Sequence, residues 1–374
     1  MQITSSFDGG NIECIQLESE KDIQLKVRKD SQSEFFQWFY FRLTGAYRKD
    51  CRLRILNAGQ CSYPEGFEDY RAVASYDLET WFRVPASFDG EVLTIEYTPQ
   101  LDAIYFAYFA PYSMNRHAHL ISSCLVSTRV EYENLGHTLD GQDMDYLRVG
   151  KPVKGKKQCW VMARQHPGET MAEWWMEGFL EKLLDENDPV SRKLLEHCVF
   201  HVVPNMNPDG SRRGNLRTNA SGANLNREWM EPSLEHSPEV YVVREKMRQT
   251  GVDFCLDVHG DEALPYNFIS GSYGVPCWSE ELEHQLDVFL ESLCAANPDF
   301  QTEKGYTKDK PGAANLQIAK NYVAQHFQCL SMTLEMPFKD TTATPDPVFG
   351  WSPARCKHLA SAVIDSIARV LPFL

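Results

Sequence analysis

From about residue 116 onward, short apolar runs alternate with longer amphipathic ones, and this alternation limits the folds open to the chain more than any other feature. Cys159-Trp160-Val161-Met162-Ala163 reads as a buried strand, and Met171, Trp174, Trp175, Phe179, Leu180, Leu183 and Leu184 then mark one helix face. A strand follows at Cys198 to Val203. Ser237-Pro238-Glu239 opens a helix that Gly251 closes, with Ser as N-cap and Pro in the first turn. The strand Phe254-Cys255-Leu256-Asp257-Val258 comes next, then a helix capped by Ser279, the strand Leu330 to Glu335, and a last helix opened by Ser352-Pro353. This order predicts an α/β domain over 116–374, with a mostly parallel (mixed) sheet flanked by helices. In such sheets, sites gather at the carboxyl ends of the strands.

Residues 1–115 follow a different period. Ile23, Leu25 and Val27 alternate with polar neighbours, as do Leu53 and Ile55, and Leu93, Ile95 and Tyr97; Trp38 and Tyr40 oppose Phe39, Phe41 and Leu43. Period two, with turns such as Asp8-Gly9-Gly10 and Asp89-Gly90, predicts an N-terminal antiparallel β-sandwich without a helix. A chain of 374 residues with 43% hydrophobic content can bury two cores of this kind.

The net charge of −15 argues against nucleic acid as a partner, because neutralising phosphates needs a surplus of Lys and Arg. Eleven cysteines without a Cys-x-x-Cys pair read as free thiols, mostly buried, in a reducing compartment. The start of the chain lacks the basic flank and apolar stretch of a signal peptide. The longest near-apolar run, Ala103 to Tyr112, is too short to cross a bilayer. The expectation is a cytoplasmic protein with no membrane partner; nothing in the pattern sets an oligomeric state.

The chemistry gathers where strands end. Arg164-Gln165-His166-Pro167-Gly168-Glu169 sets an imidazole and a carboxylate three residues apart directly after an apolar run. The strand that begins at Phe254 ends on His259. Two neutral nitrogens and one carboxylate oxygen are the protein donors of a hydrolytic zinc site, so His166, Glu169 and His259 are the candidate metal ligands. His-x-x-Glu by itself is a weak signal. Between the candidate ligands lie Asn205-Met206-Asn207-Pro208-Asp209-Gly210, Gly214-Asn215-Leu216-Arg217 and Leu225-Asn226-Arg227-Glu228-Trp229. This segment is turn chemistry that also supplies guanidinium groups and amides suited to carboxylates and oxyanions. Arg212 and Arg213 read equally well as solvated loop residues. The remaining histidines, among them His117 and His201, carry no ligand spacing and read as packed or surface residues.

The ordered set of His-Pro-Gly-Glu, Asn-Pro-Asp-Gly, Gly-Asn-x-Arg, Leu-Asn-Arg-x-Trp, a distant His and a late Glu resembles the zinc metallocarboxypeptidases, in particular the cytosolic carboxypeptidase branch. The similarity extends to Gln37-Trp38-Phe39-Tyr40-Phe41 and Tyr105-Phe106-Ala107-Tyr108, which resemble that branch's accessory β domain. The resemblance implies a carboxypeptidase-like fold and one Zn2+ per chain on His166, Glu169 and His259. It implies Glu335 as general base and Arg217 as the group polarising the scissile carbonyl. Asn226 and Arg227 would grip the terminal carboxylate of peptide or protein C-terminal tails. Two departures stand out. Asn224 replaces the family's Asp that orients a zinc-bound His, and an amide oxygen accepts that bond without adding charge. The deglutamylating relatives' Arg has no counterpart in Gly312–Gln317, which offers Asn315. Lys304, Lys308, Lys310 or Lys320 could substitute for it, although lysines on a loop containing Pro and Gly read first as solvated, so the preferred terminal side chain stays open. Tyr306 is the loop tyrosine nearest the family's mobile one. A zinc amidohydrolase acting on small N-acyl amino acids and a weakly active metal-containing binding protein share the same metal set.

Overall fold

The structure is a computed structural model describing Met1–Leu374. The first ten strands form two five-stranded sheets. Leu25, Leu53, Ile55, Leu93 and Ile95, set by the period-two pattern, are fully buried. One pairing departs from the antiparallel expectation: Ile23–Lys26 runs parallel to Cys51–Ile55. Between these two strands the chain supplies Tyr40–Thr44 to the other sheet, and it therefore re-enters in the same direction, as parallel neighbours require. The segment also contains 3-10 turns at Ala58–Gln60 and Pro64–Phe67, the second of which brings Tyr63 and Glu65 to the cleft described below.

The second part opens with the helix Met114–Cys124, which the sequence pattern does not announce. Its buried face is only His117, Leu120, Ile121 and Cys124, too sparse an apolar stripe to stand out. A seven-stranded sheet follows, in the spatial order Val130–His137, Asp143–Val149, Cys198–Val203, Lys157–Ala163, Phe254–Asp261, Leu330–Pro337 and Phe268–Gly271. The four strands from Cys198–Val203 to Leu330–Pro337 are parallel, and the flanking strands pair antiparallel. The sheet is thus mixed, its parallel part confined to the centre.

Both faces are covered, which is why the central strands read as continuous apolar runs. Cys159 and Val161 pack into an apolar cluster shared with Met171–Leu184, Glu280–Ala296 and Pro353–Val370, while Trp160 and Met162 pack on the other side with Val240, Val243 and Val323. The first cluster continues into the N-terminal sheets. Arg83 reinforces the junction, donating to the carbonyls of Phe338 (2.8 Å) and Trp351 (3.1 Å). All eleven cysteines are free thiols; Cys159, Cys198, Cys255 and Cys329 are buried, whereas Cys14 and Cys294 are exposed. No helix is long and apolar enough to cross a membrane.

Candidate active site

Immediately after Lys157–Ala163, Arg164 adopts φ +59, a left-handed conformation that a non-glycine residue holds only when its surroundings dictate it. Its buried guanidinium supplies that constraint, donating to Pro167 O (3.0 Å), Tyr112 O (2.9 Å) and Glu173 Oε2 (2.6 Å). Glu173 in turn meets His117 Nδ1 at 2.5 Å, and Asp145 meets the other ring nitrogen at 2.8 Å. His117 is therefore held charged, its pKa up to about 9: burial opposes the charge, but the two carboxylates prevail. This cluster turns the chain so that His166 and Glu169 face the end of the sheet. Gly168 N donates to Leu216 O at 2.8 Å, and a Cβ on Gly168 would fall 2.9 Å from that oxygen. The loop of His166 and the loop of Arg217 thus touch backbone to backbone, which only glycine permits.

His259 and Glu335 arrive differently from the strand-end positions expected. Their strands continue to Asp261 and Pro337, so both residues sit inside the strands' carboxyl-terminal ends. Parallel register sets His259 beside Glu335 and Asp257 beside Thr333. Neighbours in register on a parallel pair point to the same face, which puts Glu335 next to the imidazole.

His166, Glu169 and His259 are all buried, with candidate ligand atoms within 4.8 Å of one another. His166 Nδ1 lies 2.6 Å from Glu169 Oε1, His259 Nδ1 lies 2.8 Å from Glu169 Oε2, and the two Nδ1 atoms are 3.2 Å apart. The other ring nitrogens decide the tautomers. His259 Nε2 faces Asp257 Oδ2 at 2.9 Å, and His166 Nε2 faces Asn224 Oδ1 at 3.0 Å, an oxygen that also accepts from Asn226 N. Both partners are acceptors, so each Nε2 carries the proton and each Nδ1 presents a lone pair. Two lone pairs and a carboxylate converging in a buried space repel one another unless a cation sits among them, and N, N and O donors suit zinc. Burial and the nearby Arg217 hold the His166 pKa down to about 4, which keeps its ring neutral.

Asn224 performs two tasks: it orients His166 and caps the turn Leu225–Arg227. That turn presents Asn226, whose Oδ1 accepts from Ala319 N (2.8 Å) and whose amide nitrogen lies 3.5 Å from His259 Nε2. Arg227 follows, exposed, its guanidinium engaged at 2.7 Å by the carbonyl of Asn226. Arg217 packs between the rings of Phe35 (5.6 Å) and Tyr63 (5.4 Å). Glu335 is 7% exposed, yet its Oε2 has no hydrogen-bond partner. Burial, opposed by His259 and reinforced by Glu169, raises its pKa well above the usual carboxylate range. All seven residues singled out in the sequence line one cleft of about 410 Å³.

The same cleft holds two further residues, Lys320 and Tyr306, to which the sequence assigned no role. Lys320, expected in solvent, is buried on the helix Ala319–Phe327 and donates to Ser270 Oγ and to Gly271 O (2.8 Å); burial pulls its pKa down to about 8. Lys304, Lys308 and Lys310 are exposed as expected. Tyr306 lines the cleft and donates to Asp261 Oδ2 at 2.5 Å. Arg213 is occupied by Asp140 (2.6 Å) and Arg212 is exposed, so neither belongs to the cleft. Asp257 is the most consequential omission, though a signal existed: a carboxylate inside an apolar strand, two residues before a candidate ligand, shares that ligand's face. Asp257→Asn is expected to weaken zinc binding by about 10- to 100-fold, measured by competition with a chelator. Unchanged affinity would show that Asp257 does not support His259.

The chain is similar to known proteins over nearly its whole length. The family description "Cytosolic carboxypeptidase N-terminal domain" matches residues 3–109, and "Zinc carboxypeptidase" matches residues 124–350. The chain is 50% identical over 371 residues to an uncharacterized protein of Zymomonas mobilis, covering 99% of this chain and 97% of that one. It is 28% identical over 334 residues to cytosolic carboxypeptidase 6 of Mus musculus, covering 81% of this chain and 61% of the mouse protein. Among solved structures, a metallo-carboxypeptidase from Burkholderia cenocepacia superposes with TM-score 0.98 at 47% identity, each chain covered in full. One from Pseudomonas aeruginosa, in complex with (2-guanidinoethylmercapto)succinic acid, does so with TM-score 0.98 at 44% identity, again with each chain covered in full.

Proposed function

The chain belongs to the zinc carboxypeptidase family, and from that premise we propose that it removes C-terminal residues from peptides or protein tails, with residues 116–374 as the catalytic unit and 1–115 as its accessory unit. His166, Glu169 and His259 would hold one zinc ion, and a metal there would supply Lewis acidity, able to lower the pKa of water towards about 7 and to polarise a carbonyl. Glu335 takes the proton of the attacking water on its unpartnered Oε2 and later returns it to the leaving amine. Arg217 donates to the oxygen on which negative charge develops. Asn226 and Arg227 bind the free carboxylate of the terminal residue, and they limit the enzyme to chain ends.

One observation carries this reading: the single turn from Asn224 to Arg227 holds a metal-facing imidazole at its first residue and offers an amide and a guanidinium at its last two. The metal and the carboxylate grip are thereby fixed relative to each other. The succinate moiety in the Pseudomonas aeruginosa complex carries carboxylates of the kind this grip would take.

Peptides with a free C-terminus, their C-terminal amides, and N-acyl amino acids form the test set. Turnover is expected for free-carboxylate peptides and at least about 100-fold less for the amides, since losing a charged bidentate partner costs several kcal/mol. Arg227→Met should raise KM by about 100-fold and flatten that discrimination. Equal turnover of amide and acid peptides sinks the exopeptidase reading, and turnover confined to N-acyl amino acids reassigns the substrate class.

A further inference from the structure

We propose that Asp30, Phe35 and Tyr63 are positioning residues for Arg217, so that the N-terminal sheets complete the active site; this rests on the reading of Arg217 as the oxyanion-stabilising group. Arg217 lies in a stretch that is neither helix nor strand, so no helical or sheet hydrogen bond fixes its backbone, although the Asn215 amide donates across it to Thr218 O (2.8 Å). Asp30, 4% exposed, supplies what is missing. Its Oδ1 accepts from Leu216 N (2.6 Å), and its Oδ2 accepts from Arg217 N (2.8 Å), Thr218 N (2.9 Å) and Thr218 Oγ1 (3.1 Å). One carboxylate thus gathers three consecutive backbone donors centred on Arg217. Two neighbouring contacts brace the same loop: Asn11 Nδ2 donates to Gly214 O (2.8 Å), and Gly9 N donates to Arg212 O (2.9 Å).

The side chain is held as well as the backbone. The guanidinium lies 5.6 Å from the ring centre of Phe35 and 5.4 Å from that of Tyr63. Phe35 closes the loop that begins at Asp30, through a bond of 2.8 Å from Asp30 N to Phe35 O. Tyr63 is clamped by Gln37, which accepts from Tyr63 N (2.8 Å) and donates to Tyr63 O (2.9 Å). A free arginine samples many rotamers, and a donor aimed in advance stabilises developing charge without reorganising. Gln37 therefore acts on the reaction through Tyr63 and Arg217.

A buried Asp that only stabilised the fold would give the same contacts, so the test is a double-mutant cycle on the full chain, reading kcat, KM, zinc content and Tm with a free-carboxylate peptide. Arg217→Met is expected to lower kcat by about 100- to 1,000-fold. Asp30→Asn, which turns an NH2 towards N–H donors, should lower kcat by about 10-fold or more with KM nearly unchanged and zinc retained. Added to Arg217→Met, it should lower kcat by less than about 2-fold, because its effect passes through the missing guanidinium. Tyr63→Ala is expected to behave like Asp30→Asn, and Tyr63→Phe, which keeps the ring, to restore most of the lost kcat; this pair carries the test if Asp30→Asn fails to fold. Equal losses from Asp30→Asn, or from Tyr63→Ala, with and without Arg217 overturn the positioning role, as does wild-type kcat in those single variants. A harmless Arg217→Met is a different failure: it removes the oxyanion role of Arg217, and this proposal falls with it.

Discussion

Glu335→Gln is expected to lower kcat by about 100- to 10,000-fold while the protein keeps its zinc and its fold. The amide has the volume of the carboxyl but cannot accept the proton from the attacking water. Little else is lost, because Oε2 of Glu335 has no hydrogen-bond partner to leave stranded. Stability should hold or rise, since a buried carboxylate without a partner is costly and a neutral amide removes the charge. The effect should fall on kcat more than on KM, as Glu335 acts on the reacting proton rather than on the terminal carboxylate. Steady-state kinetics with elemental analysis of zinc checks this. Wild-type turnover in a zinc-replete Glu335→Gln protein would remove the general base from the mechanism.

Stripping the metal should be as severe, and it should be visible without any substrate. Glu169, His166 and His259 converge in a buried space, and Glu169 Oε2 has Gly260 N at 3.0 Å as its only backbone donor there. Without a cation, the two lone pairs and the charge face each other, or protons must enter to separate them. A chelator is therefore expected to abolish turnover and to lower Tm, and added zinc to restore both. Zinc at about 100 times its Kd stabilises the fold by about 2.7 kcal/mol, a shift of several degrees. Glu169→Gln should reproduce the chelated state and resist rescue by zinc. Full turnover in protein shown to be metal-free ends the zinc reading.

Much of this site was legible before any fold was known. His166 and Glu169 lie three residues apart after an apolar run, and a βα turn at the end of a strand is where such sheets gather ligands. His259 closes an apolar run in the same way, whereas the role of Glu335 rests on the family resemblance; both strands run past these residues. Lys320 is buried although its preceding segment is rich in Gly, Pro and polar residues, which usually marks solvent. The helix Ala319–Phe327 instead carries it under Ser270 and Gly271. The expected all-antiparallel N-terminal sheets contain one parallel pair for a comparable reason: alternation reports which face a residue takes, not which strand lies beside it.

Periodicity and local motif determined the elements, the ligand types and the order in which they occur, because those signals repeat within a few residues and reflect which side chains can leave water. The partner of each element was decided only on folding. Asp30 and Leu216 are 186 residues apart yet meet at 2.6 Å, and Glu169 and His259 are 90 residues apart yet meet at 2.8 Å. A contact between distant segments leaves no period in either of them; it exists only once the intervening core has packed and brought the two chains side by side.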